Sequence, residues 1–134
     1  MPLYPVTAGG NITPSRILVT STATANRVIQ ATGATVQPVG ISQRGTRNTP
    51  YQSGTATLDD GFAAIAGENL TIFSNGDTCA LELGGTVAIG AALMSDGSGR
   101  GITATTTNYT VAVASKAGVL GDLIEVQVLI GYTK

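Results

Sequence analysis

The chain has no histidine, no tryptophan and a single cysteine, and charged residues make up only 11% of it. Each shortage removes a class of chemistry. Without histidine, neither a Ser-His-Asp nor a Cys-His arrangement can be assembled. One cysteine and no histidine leave no zinc-ligand set, and Cys79 has no second thiol with which to form an internal disulfide. Cys79 lies in a strand-like run, Thr78–Leu83, where a buried structural thiol is the expectation. The basic residues (Arg16, Arg27, Arg44, Arg47, Arg100, Lys116, Lys134) are scattered. Neutralising phosphate needs clustered cations, so no nucleic-acid partner is expected. No apolar run approaches the roughly 18 residues of a membrane-spanning helix. The start, Met1-Pro2-Leu3-Tyr4-Pro5, lacks the charged and apolar regions of a signal peptide. These absences point to synthesis in a reducing cytoplasm and to no membrane partner.

What is present is alanine, glycine, threonine, valine and isoleucine over 134 residues, a length that suits one domain. Strand candidates recur at short intervals: Arg16–Thr20, Arg27–Gln30, Pro38–Gln43, Thr55–Leu58, Phe62–Ala66, Leu70–Ser74, Thr78–Leu83, Ala92–Ser95, Gly101–Ala104, Tyr109–Ala114 and Leu123–Leu129. Between them stand turn signals such as Asp60-Gly61, Asn75-Gly76 and Asp96-Gly97, strong short-range hairpin cues. Ile124-Glu125-Val126-Gln127-Val128 alternates with period two, as a half-buried strand does. The expectation is an all-β fold, a single compact barrel or sandwich domain over residues 12–134. Residues 1–11 read as an extended arm, because Pro2 and Pro5 favour extended backbone and Gly9-Gly10-Asn11 punctuates. Helix evidence is limited to one turn within Asp59–Asn69, weakened by Gly61 and Gly67.

One phrase occurs twice. Ile12–Gly45 and Val87–Gly118 each hold a short apolar run (Ile17-Leu18-Val19; Ala92-Leu93-Met94) and then a polar turn. A second run follows (Val28-Ile29; Gly101-Ile102), and then a final strand-like piece (Pro38–Ile41; Val111–Ala114). Two copies are too few for a solenoid and fit two hairpin-like pseudo-repeats in one domain.

Candidate chemistry is sparse. Asp96-Gly97-Ser98-Gly99-Arg100-Gly101 superficially suggests a phosphate-cradling loop, but no helix and no Lys-Ser/Thr follow, so a β-turn is expected. Asp59-Asp60 with Glu68, or Asn75-Gly76-Asp77, offers oxygen ligands for calcium, with too few acids per segment for an EF-hand. No catalytic site, cofactor, metal or small-molecule substrate is expected. A surface so poor in charge is weakly protected against association, which favours cover in an oligomer or a larger assembly. The candidate contacts are apolar Leu3, Tyr4 and Val6 in the arm, with Arg44, Arg47 and Tyr51 in a polar insert as orienting groups.

The register Ile12–Val19, then Pro38–Ser42, and still more Val87–Arg100, Ala112–Ala114 and Gly121–Val128, resembles the small capsid decoration (cement) proteins of tailed bacteriophages. The resemblance covers about residues 10–130. Its motifs are glycine, aspartate and β-branched positions rather than catalytic residues. The polar insert Thr46–Ser53 and the arm depart from it. It implies an all-β, non-enzymatic homotrimer on the outer capsid surface of a virion, built in the cytoplasm of a bacterial host. Its partner would be the major capsid protein, whose neighbouring subunits it would clamp after the shell expands. The competing reading is a receptor- or carbohydrate-binding β domain of a phage fibre or adhesin. Four tyrosines, two phenylalanines and no tryptophan make a poor stock of aromatic sugar platforms. A small enzyme is the third reading, and the missing histidine weighs against it.

Overall fold

Ten strands and no helix organise the described residues, 4–21, 27–44, 62–105 and 108–133, of this computed structural model. In chain order they are β1 (Tyr4–Ala8), β2 (Ile17–Thr20), β3 (Arg27–Gln30), β4 (Pro38–Ser42), β5 (Asn69–Phe73), β6 (Thr78–Glu82), β7 (Ala92–Ser95), β8 (Gly101–Thr103), β9 (Asn108–Ala114) and β10 (Leu123–Thr133). The first five close a barrel in the order β1-β3-β2-β4-β5, and the last five form a second sheet, β6-β10-β9-β7-β8. The chain is all-β, as its β-branched runs and Asn-Gly and Asp-Gly turns imply.

Three expectations change. Tyr4–Ala8 is extended, but it is a barrel strand and not a projecting arm. Its backbone is antiparallel to β5 from Tyr4↔Ile72 to Thr7↔Asn69, and parallel to β3 at Thr7↔Arg27 and Ala8↔Val28. Pro5, which carries no amide hydrogen, stands opposite Thr71 in the antiparallel ladder with β5. The expected strand at Phe62–Ala66 is only a bridge between Ala64 and Ile12. The expected helical turn is a reverse turn, Ile65–Glu68, with Gly67 at φ 89°, leading directly into β5. Thr55–Leu58 lies outside the described residues.

The two sheets are one design used twice. In β2–β4 and β7–β9, Ile17↔Ile41 and Leu18↔Gly40 correspond to Ala92↔Val113 and Leu93↔Ala112. In β2–β3 and β7–β8, Leu18↔Gln30 through Thr20↔Val28 correspond to Leu93↔Thr103 through Ser95↔Gly101. Tyr4↔Ile72 through Thr7↔Asn69 recur as Cys79↔Val126 through Glu82↔Leu123. The parallel contact Ala8↔Val28 recurs as the bridge Leu83↔Gly101, and the bridge Ile12↔Ala64 as Val87↔Gly118. The phrase at 12–45 and 87–118 is therefore the centre of a longer repeat, β1–β5 copied as β6–β10. The largest difference is the link into the last strand of each unit, residues 43–68 in the first and only 115–122 in the second.

Strand periodicity explains how the units join. Leu18 points into the barrel with Ala8, Ile12, Val28, Ala63, Ala64, Leu70 and Ile72, all buried. Its neighbours Ile17 and Val19 point the opposite way. With Ile41 they enter a second core alongside Leu81, Leu83, Leu93, Val111, Val126 and Val128 of the second unit. The outer face of the first barrel is thus an inner face of the whole molecule. Backbone bonds seal the seam: Ile17 N–H to Gly99 O at 2.8 Å, Glu82 N–H to Ser15 O at 3.1 Å and Tyr109 N–H to Ala34 O at 2.9 Å. The linker between units turns at Asn75-Gly76, where Gly76 N–H donates to Val128 O and the Asn75 side-chain carbonyl accepts from Ile130 N–H.

Candidate docking surface

The seam gathers the charges of the molecule's middle. Arg16 at the start of β2 reaches Glu82 at the end of β6, Nη2 to Oε2 at 3.2 Å, and its Nη1 donates to Ser98 O at 2.9 Å. Arg100 stands 3.9 Å from the same Glu82 carboxylate and 3.3 Å from Asp96. Gln30 Nε2 also donates to Ser98 O, at 2.7 Å. These groups pair with one another across two units as a structural latch, although Arg16 Nε and Arg100 Nε are buried without a hydrogen-bond partner. The Gly-x-Gly-x-Gly stretch is the β7–β8 turn. Asp96 Oδ1 accepts from the amides of Ser98 and Arg100, so the donors a phosphate would need are taken by the chain's own carboxylate.

Other acids have the same local work. Glu68 accepts from Ile65 N–H, Asp77 from Ser74 N–H and Asp122 from Val119 N–H. No group of three or more histidine, cysteine or acidic residues able to hold a metal ion occurs among the described residues. Asp59 and Asp60 lie outside them.

Beside β6 and β10 runs an open groove of about 360 Å³, lined by Arg44, Phe73, Thr78, Cys79, Ala80, Leu123, Ile124 and Glu125. Cys79 is almost wholly buried in its wall. Burial, aided by the nearby Asp77 carboxylate, pushes its thiol from an ordinary 9.0 up to about 12, so it is a neutral apolar group and a poor nucleophile.

Of the residues expected to contact a partner, Arg44 is exposed at this groove. Tyr4 pairs with Ile72, one residue from Phe73 in the groove wall, and Val6 pairs with Leu70. Leu3, Arg47 and Tyr51 lie outside the described residues. Sequence reasoning passed over a second set: Val36, Ile89, Val119, Leu120, Leu123 and Leu129 are large apolar side chains left exposed. The signal was readable in Gly118-Val119-Leu120-Gly121, where two bulky apolar residues occupy a turn.

No family model and no curated protein matches the chain. A solved structure does. The N base of the head fibre protein gp8.5 of bacteriophage phi29 aligns over 96% of this chain and 92% of its own, with a TM-score of 0.55 and 14% identity. The two chains share a fold. At that identity the likeness is one of strand arrangement rather than of side chains, and almost no part of either chain is left outside it.

Proposed function

We propose that the protein is a structural component of a tailed-phage head. On this reading it decorates the outer capsid surface as a homotrimer, binds the major capsid protein and bridges neighbouring subunits of the expanded shell. The observation that carries the reading is the end-to-end fold likeness to a head fibre base. The sequence resemblance to cement proteins supports it independently, as does the small number of charges. Its work is contact area, and it has no catalytic role. Arg44 at the groove, together with Leu3, Tyr4, Val6, Arg47 and Tyr51, is proposed to touch the capsid.

The neighbour is a fibre protein, and this favours a second reading as a receptor- or carbohydrate-binding fibre domain. Two assays separate them. Purified protein added to expanded heads that lack it should bind saturably, with a fixed number of copies per head, and should show no retention on host cells or glycans. Binding to cells or sugars without binding to heads would replace the first reading with the second. An interface with few charges to pair should also hold as salt is raised.

A further inference from the structure

Strand β6 leaves part of one edge unused. Leu83 N–H donates to Asp122 O at 2.8 Å, and Asp77 O accepts from Val128 N–H at 2.8 Å. Asp77 and Leu83, and by alternation Cys79 and Leu81, therefore turn their backbone groups toward β10. The residues between them turn theirs the other way. Glu82 shows this directly, because its N–H reaches Ser15 O of the first unit at 3.1 Å. Thr78 and Ala80 point the same way and find no such acceptor. Among the described residues no ladder, bridge or backbone hydrogen bond forms on their outer side. Both line the open groove of about 360 Å³, with Arg44 and Phe73 of the first unit also in its wall.

The first unit closes off the matching position. Ala8 N–H donates to Glu68 O, so Ala8, Val6 and Tyr4 turn toward β5 and Pro5 turns outward. Pro5 stands opposite Thr71 as Ala80 stands opposite Glu125, at equivalent places in the two ladders. A proline offers no amide there, which makes a strand edge a poor template for another strand. The second unit keeps the amide at Ala80. Since the same ladder accepts a proline, the Ala80 amide is not needed for folding.

A row of unpaired amides and carbonyls is complementary to an extended backbone. Charge selects among such backbones. Arg44 is exposed in the groove wall and forms no ion pair among the described residues. Glu125, also in the wall, has a cation close by, because Ser115 N–H donates to Glu125 O and so sets Lys116 beside it. The Asp77 carboxylate accepts from Ser74 N–H. Arg44 is thus the charge in the groove that lacks a counterpart, while Phe73 and Leu123 give the wall apolar surface. We propose that the outer edge of β6 binds an extended acidic segment of a partner protein as an added strand, with a carboxylate on Arg44. The proposal does not rest on attachment to a capsid.

The test is a titration of the isotope-labelled full chain with the blocked peptide Ac-Thr-Val-Asp-Val-Thr-NH2 up to millimolar concentration, read by amide NMR. The Thr78 and Ala80 amides should move downfield and exchange more slowly as peptide is added. The same peptide with lysine in place of aspartate should bind about threefold more weakly, and Arg44→Glu should reverse that order. Ala80→Pro should weaken binding at least about tenfold, and circular dichroism checks that it is folded. Arg44→Glu, at an exposed position, carries the test if the proline disturbs the sheet. Thr78 and Ala80 amides that do not respond to the acidic peptide would overturn the proposal. So would folded Ala80→Pro, or Arg44→Glu, binding that peptide as tightly as wild type. Amides that move with protein concentration alone would give the edge to a second copy and overturn it too.

Discussion

At Ser15 the duplicated scaffold exposes a cost that one unit bears and the other avoids. Ser15 has φ 56°, and Gly90, its counterpart, has φ 82°. A residue with a Cβ in this region costs on the order of 1–2 kcal/mol relative to glycine. The Ser15 hydroxyl is also buried without a hydrogen-bond partner, a further penalty of about 1–3 kcal/mol. Glycine's greater freedom in the unfolded chain returns about 0.5–1 kcal/mol of this. Ser15→Gly should therefore stabilise the protein by on the order of 1 kcal/mol and raise its Tm by a few degrees in a thermal melt. Cys79 gives a second check. Its thiol should resist thiol reagents at pH 8 until denaturant is added. The fold favours the neutral thiol, so this contribution is fully present below pH 9.0 and is lost as pH rises toward about 12. Cys79→Ala should show a shallower loss of stability across that alkaline window.

Among the strands, β1 decides how the first unit closes. It supplies the pairing that joins β3 to β5 and brings in buried Ala8. Deleting residues 2–9 would leave two open strand edges and uncover one side of the barrel core. Such a truncation should lose β-sheet circular dichroism and cooperative unfolding, whereas deletion of a projecting arm would leave both intact. This strand was also the hardest to read. Pro2 and Pro5 suggest a segment that cannot join a ladder, and only the barrel shows where a proline is tolerated. The central strands of each unit were legible because their apolar runs and turn residues repeat side by side. The outer strands repeat in backbone register but not in side chains: Tyr4-Pro5-Val6-Thr7 overlies Cys79-Ala80-Leu81-Glu82. Register is a property of hydrogen bonding, and no sequence comparison of those segments displays it. Ile89, Val119, Leu120 and Leu123 were missed for a similar reason. Each looks like ordinary core material until the fold shows that the core is already full.

The whole molecule is two copies of a five-stranded unit fused through a shared core. Ile17, Val19 and Ile41 of the first unit lie in the same cluster as Leu81, Leu93 and Val126 of the second. A fused pair leaves little conformational freedom to be lost on docking, which would suit the proposed role of holding capsid subunits in place. On the proposed function, many modest contacts on one shell would add by mass action, each stabilising the assembled state by about RT ln(1 + [L]/Kd). The most direct measurement is the temperature at which DNA-filled heads rupture, compared between heads saturated with the protein and heads lacking it. The account predicts a higher rupture temperature for decorated heads, returning to the bare value when the protein is stripped. Equal rupture temperatures at full occupancy would contradict it.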